Sequence, residues 1–112
     1  MDIEFKSKSL QKACNNWDKL VKKHGERRAK LIKQRLDDLR AADNLEEMRF
    51  LPGRCHELVG KLSGKLAVDL DHPYRLILTP SINPTPKKSD GGLDWKKVIA
   101  IKILDIQDYH GR

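Results

Sequence analysis

Near its C-terminal end the sequence carries Asp108-Tyr109-His110, three consecutive side chains that can each bind or move a proton. They follow an apolar, largely β-branched run from Val98 to Ile106 that is interrupted at Lys102 and Asp105. Such a run predicts a strand near the middle of a sheet. Strand alternation sends Asp108 and His110 to one face and Tyr109 to the other, unless a bulge intervenes. A stiff element thus presents groups suited to acid–base work, with Asp108 able to orient an imidazole. The same pattern is also an ordinary way for a strand to reach solvent, with Tyr109 packing its ring on the sheet.

The elements that must position these groups are written in the hydrophobic period. Asp2 to Lys6 alternates around Ile3 and Phe5 and suits a short first strand. Leu10, Ala13, Cys14, Trp17, Leu20 and Val21 then recur at three- and four-residue spacing, predicting one helix capped by Ser9 and ended by Gly25. A second helix is predicted from about Glu26 to Ala42, burying Ala29, Ile32, Leu36 and Leu39 and turning Arg28, Lys30, Arg35 and Asp38 outward, with Lys33 near the boundary. Asn44 and Glu47 resemble a capping box for one further turn holding Leu45 and Met48.

Leu51-Pro52-Gly53 breaks the helical half. Cys55 to Val59, with His56 inside it, reads as a short strand, and Gly60 and Gly64 bracket a loop containing Lys61 and Ser63. Leu66, Val68 and Leu70 alternate with Ala67, Asp69 and Asp71, and Asp71-His72-Pro73 turns the chain into a partner strand from Tyr74 to Thr79. Pro80 to Trp95 is proline- and glycine-rich and reads as an extended loop. Helices first and strands after predict an α+β domain, its helix pair covering one face of a mainly antiparallel sheet. A length of 112 residues suits one domain over 1–112, with a helix hairpin at about 9–42, a sheet portion at about 51–110 and an irregular loop at 80–96.

Charged residues make up 35% of the chain and leave a net charge of +7. Lys19 to Arg35 holds eight basic residues and one acid, Glu26, so that window alone accounts for the excess. It is either a solvated helix face or an electrostatic footprint for nucleic acid or an acidic protein. The two cysteines, Cys14 and Cys55, lack the spacing of a zinc site. Cys14 lies on the apolar stripe of the first helix. The first residues carry no hydrophobic signal region and no apolar run is long enough to span a bilayer, which predicts a cytoplasmic location. Neither a dinucleotide fingerprint nor a phosphate-binding Gly-rich loop is present.

Taken together, Leu51-Pro52-Gly53-Arg54-Cys55-His56-Glu57-Leu58, then Gly60 and Gly64, then Tyr74-Arg75-Leu76, then Asp108-Tyr109-His110 resemble the HigB-like branch of the RelE/ParE toxin superfamily. The resemblance runs from near Phe5 to His110 in the same element order. It implies an α+β fold with an N-terminal strand and helix hairpin on a mainly antiparallel sheet. It also implies the toxin of a type II toxin–antitoxin system of the plasmid-maintenance kind: a metal-independent endoribonuclease, needing no cofactor, that cleaves messenger RNA on the ribosome. The implied partners are a cognate helix-turn-helix antitoxin, messenger RNA and the ribosome, with operator DNA bound through the antitoxin and no membrane. Carried across, the catalytic set falls on His56, Asp108, Tyr109 and His110, and the phosphate-binding arginine on Arg75. Where the family has a lysine this chain has Val59, with Lys61 two residues on as the substitute phosphate contact.

These residue types suit RNA scission. A base must take the ribose 2′-hydroxyl proton, an acid must protonate the leaving 5′-oxygen, and positive charge must meet the phosphorane oxygens. Histidine, with a reference pKa of about 6.5, serves either proton transfer, so His56 and His110 divide the two roles in either order. Asp108 orients one imidazole or acts as an alternate base. Arg75 can fork onto two phosphate oxygens. Tyr109 either packs the strand end or stacks on a base. His24 and His72 receive no catalytic role. The competing reading is a non-enzymatic binder acting on DNA gyrase or only on an antitoxin. A free-standing DNA-binding regulator is weaker, because nothing marks a base-reading helix.

Overall fold

The computed structural model describes residues 1–108. Strand β1 (Asp2–Phe5) leads into helices α1 (Lys8–Cys14), α2 (Trp17–His24) and α3 (Glu26–Ala41), followed by a 3-10 turn at Leu45–Phe50. The sheet continues with β2 (His56–Glu57), β3 (Leu66–Asp69), β4 (Tyr74–Pro80) and β5 (Ala100–Asp108). Its strand order is β1-β5-β4-β3-β2, parallel between β1 and β5 and antiparallel elsewhere. This is the α+β arrangement that segregated helices and strands predict. The parallel pair arises because the chain crosses over through the helices before β5 returns beside β1.

The expected first helix is two helices. Ser7, not Ser9, caps α1 by accepting from Leu10 N at 3.1 Å, and Asn16 restarts the helix as α2 by accepting from Lys19 N at 3.0 Å. The Asn15-Asn16 pair offers the backbone a side-chain acceptor in place of the helical ladder. Gly25, at φ +82°, separates α2 from α3 as expected. The expected capping box is replaced by Glu47 Oε1 accepting from Asp43 N at 3.1 Å, with no side-chain cap from Asn44.

Helix α3 buries Ala29, Ile32, Leu36 and Leu39. Arg28 and Arg35, expected outside, turn inward. With Ile32 and Leu39 they complete a 28-32-35-39 series, which is one stripe of a helix, so both guanidinium stems lie along the buried edge. Arg35 is 7% exposed and donates Nε to Asp69 O at 2.9 Å. Arg28 forks onto Asp71, Nε to Oδ1 at 2.9 Å and Nη2 to Oδ2 at 3.0 Å, while its guanidinium lies 3.4 Å from the Tyr74 ring centroid. Helix α3 is thereby bolted to the β3–β4 hairpin by polar contacts as well as by apolar burial.

The core gathers Leu66, Val68, Leu76, Leu78, Ile101 and Ile103 beneath the helices. Ala67 and Ile77 are also buried, although Ala67 was expected outside; they pair with each other on the opposite face, apart from that core. In β5 the register jumps from Asp105 opposite Ile77 to Ile103 opposite Leu78, leaving Leu104 as an extra residue. This bulge reverses the alternation, so the inward set runs Ile101, Ile103 and then Ile106. The loop expected at 80–96 is shorter at both ends: Pro80 closes β4, and Trp95 is buried in a 3-10 turn.

Hydrogen bonding from Arg28 holds the Asp71 carboxyl below its ordinary pKa of 3.8. The pair's contribution is therefore complete above that value and lost as pH falls through the lower folded value. Arg28→Ala should cost about 2 kcal/mol at neutral pH. It should also flatten the acid limb of stability against pH, measured by urea unfolding. Identical acid limbs in variant and parent would show that the pair contributes nothing.

Candidate functional site

The face of the sheet turned away from the helices carries the polar residues of interest in two rows. One row is His56, Ala67, Ile77 and Asp105, successive cross-strand partners from β2 to β5. The next is Asp69, Arg75 and Gln107, to which Arg54 is joined by an ion pair, Nε to Asp69 Oδ2 at 2.9 Å. Arg75 is 9% exposed and donates to Gln107 Oε1 from Nε at 3.3 Å and Nη2 at 3.1 Å. Two strand spacings and two residues of rise put the His56 and Arg75 Cα atoms about 12 Å apart, within joint reach of one phosphodiester.

His56 Nδ1 lies 2.7 Å from Arg54 O. A carbonyl only accepts, so Nδ1 carries the hydrogen and the neutral ring keeps its lone pair on Nε2. The backbone that supplies this carbonyl is unusual. Arg54 has φ +48°, a left-handed conformation that disfavours a side chain, and Gly53 before it has φ +108°. Gly53 O accepts from Asp69 N at 2.6 Å, and Arg35 Nε donates to Asp69 O, so both polar backbone atoms of Asp69 are held. A Cβ on Gly53 would stand 2.6 Å from Val68 Cγ1 and 2.7 Å from Arg35 Nε. Only glycine lets the chain pass here.

Of the sequence candidates, His56 and Arg75 share this face. Asp108 does not: it pairs with Tyr74, on the helix side, and its charge helps raise the pKa of Arg28 after the larger effect of the Asp71 hydrogen bond. Tyr109 and His110 lie outside the described residues. Lys61 is exposed on the 3-10 turn Gly60–Leu62, at the far end of the face from Arg75. Val59, standing where the family has a lysine, is 85% exposed. Arg54, Asp69 and Gln107 were not found from sequence. Their signal was parity: Asp69 and Arg75 fall at the non-core positions of two paired strands.

Burial pushes the Cys55 thiol up to about 12 and the Cys14 thiol up to about 11, which leaves neither as a nucleophile at neutral pH. Among the described residues no group of three His, Cys, Asp or Glu side chains is placed to hold a metal ion, and no helix is long and apolar enough to cross a membrane. The basic run is thinner than its composition suggests. Arg28 and Arg35 are turned inward and Lys33 pairs with Asp37 at 3.0 Å, leaving Lys19, Lys22, Lys23, Arg27 and Lys30 exposed.

No protein-family model matches the chain, and no curated protein matches it. Two solved structures share its architecture. The YoeB-YefM complex from Staphylococcus aureus superposes with a TM-score of 0.54 at 17% identity, over 96% of this chain and 94% of that one. The YoeB/ParE toxin from Agrobacterium tumefaciens superposes with a TM-score of 0.55 at 11% identity, over 96% of this chain and 98% of that one. The chain has the RelE/ParE toxin fold. At these identities the likeness carries the fold alone. Within that fold, the Gly53 turn decides where Arg54 and His56 stand.

Gly53→Ala should destabilise the protein by about 2 kcal/mol, combining a steric clash with an unfavourable φ. An unchanged denaturation midpoint would mean that the turn relaxes freely and does not fix the site.

Proposed function

We propose that this protein is the toxin of a type II toxin–antitoxin pair and cleaves messenger RNA on the ribosome without a metal ion, in the manner of the HigB-like branch. The observation that carries the reading is His56 held in one tautomer by the Arg54 carbonyl, on the same sheet face as the forked guanidinium of Arg75. Nε2 of His56 is then the group that exchanges a proton with the ribose 2′-hydroxyl or the leaving 5′-oxygen. Arg75 meets the phosphorane oxygens, its planar fork already oriented by Gln107.

The family resemblance gives the second proton transfer to His110 and, to Tyr109, a stacking or hydrogen-bonding surface for a base, both beyond the point where β5 holds Asp108 on the helix side. Asp108 acts from the helix side, where its pairing with Tyr74 beside Arg28 fixes the end of β5. Lys61 serves the incoming strand at a distance from the reacting phosphate. The partner is a helix-turn-helix antitoxin, through which the pair binds operator DNA. An acidic antitoxin segment would find the exposed lysines of α2 and α3 attractive.

The competing reading, a toxin-like binder of gyrase or of antitoxin alone, has no chemical use for a histidine of fixed tautomer on the same sheet face as a buried arginine. Growth arrest with intact message in cells expressing His56→Ala would favour it.

With purified protein and ribosome-bound message, His56→Ala and His110→Ala should each reduce product formation by about 100-fold or more. Arg75→Ala should lower turnover with the fold retained by circular dichroism, and Arg75→Lys should restore only part of it. Undiminished cleavage in both histidine variants would sink the paired-histidine mechanism. Unfolding of Arg75→Ala, with Arg75→Lys fully active, would make Arg75 structural.

A further inference from the structure

The loop between β4 and β5 is built, not slack. Lys87 and Leu93 form a β-bridge, Lys88 N donates to Gly92 O at 2.7 Å, and Gly91 N donates to Lys88 O at 2.9 Å. Its far end is moored at Trp95, whose indole donates to Glu57 Oε2 at 2.9 Å beneath the Arg49 guanidinium, 3.7 Å from the ring. This holds the Lys87-Lys88 hairpin beside the β2–β3 margin of the sheet.

Three hollows follow one another from the β3–β4 turn along the helix-free face to the far end of the strands, where the third also takes in Glu57 and Leu66 from the helix side. The first, of about 80 Å³, is lined by Arg54, Asp69 and Arg75. The second, of about 380 Å³, is lined by Lys6, Lys65, Ile77 and Gln107, and Gln107 accepts from Arg75 of the first. The third, of about 240 Å³, is lined by Lys65, Thr79, Thr85, Lys87 and Gly91. Lys65 borders both the second and the third. Asp69 is ion-paired to Arg54, while Glu57 and Asp105 accept only from neutral N–H groups and keep their charge. Five cations, Arg54, Arg75, Lys6, Lys65 and Lys87, nevertheless outnumber the three carboxylates, Asp69, Asp105 and Glu57, that border the three hollows.

We infer that this line is a track for single-stranded RNA, in which Lys65 and Lys87 hold phosphates beyond the scissile one and the β4–β5 loop lengthens the bound segment. The inference rests on the proposed nuclease reading, and it assigns to Lys65 and to the loop roles that reading does not contain. The charge matches a polyanion, and the spacing matches an extended strand. From Arg75 to Thr79, level with Lys65, is about 13 Å along β4, and Lys87 lies beyond. Direct cation–phosphate contact releases counterions, so each contact has a measurable signature in salt dependence.

The test is binding of a short non-cleavable 2′-O-methyl single strand across a salt series, with the full chain. Lys65→Ala and Lys87→Ala should each weaken binding and reduce the slope of log affinity against log salt by about 0.7. Lys22→Ala, on α2, should leave the slope unchanged. Unaltered slopes in Lys65→Ala and Lys87→Ala, with a reduced slope in Arg75→Ala, would overturn the track while leaving the Arg75 site standing. Unaltered slopes in all of these, together with no cleavage of ribosome-bound message by the parent protein, would overturn the nuclease reading itself. A reduced slope only in Lys22→Ala would place the nucleic acid on the helices and overturn the track.

Discussion

The backbone of Asp69 is gripped from two sides, by Arg35 at its carbonyl and by Gly53 at its amide, and most of the functional geometry hangs from that grip. Arg35 belongs to α3, Asp69 ends β3, and Gly53 begins the turn that delivers Arg54 and His56. One meeting point therefore ties the helix layer to the sheet margin and sets the left-handed step that follows. Burying an arginine to 7% exposure is costly, and the hydrogen bond of its guanidinium to a carbonyl is what makes the burial tolerable. Removing the Arg35 side chain would leave the Asp69 carbonyl without this donor and loosen the tie between α3 and the turn.

Much of this architecture is legible in the sequence, for a plain reason. β1, α3, β4 and β5 have long enough hydrophobic patterns for the period to be read, and Gly25 and Leu51-Pro52-Gly53 mark where it changes. The break at Asn15-Asn16 is concealed because the apolar stripe continues across it, from Cys14 to Leu20. Arg28 and Arg35 mislead in a different way: charge suggests solvent, whereas their spacing with Ile32 and Leu39 places them on the buried stripe. In β5, the uninterrupted apolar letters of Ile103 and Leu104 hide the bulge, and with it the face that Asp108 occupies.

The site is half legible. His56 and Arg75 follow from resemblance to a toxin family and from the needs of phosphodiester chemistry. Arg54 and Asp69 meet across fifteen residues of chain and have no local signature, and Gln107 becomes interpretable only once the bulge fixes the register. The structure also redistributes the charge. Two of the most conspicuous basic residues of α3 are spent on internal contacts, and the helix-free face carries Arg54 beside Arg75, with Lys65 about 13 Å further along the strands. Composition alone points to the helices; the fold points to the opposite side of the sheet.

That opposition is the central claim, and a chemical-shift map tests it most directly. On titrating a non-cleavable single-stranded RNA into isotope-labelled protein, the largest perturbations should fall on His56, Lys65, Arg75, Lys87 and Gln107. Those of Lys22, Lys23 and Lys30 should stay near baseline. Perturbations confined to α2 and α3, with the His56 imidazole signals unmoved, would contradict the account.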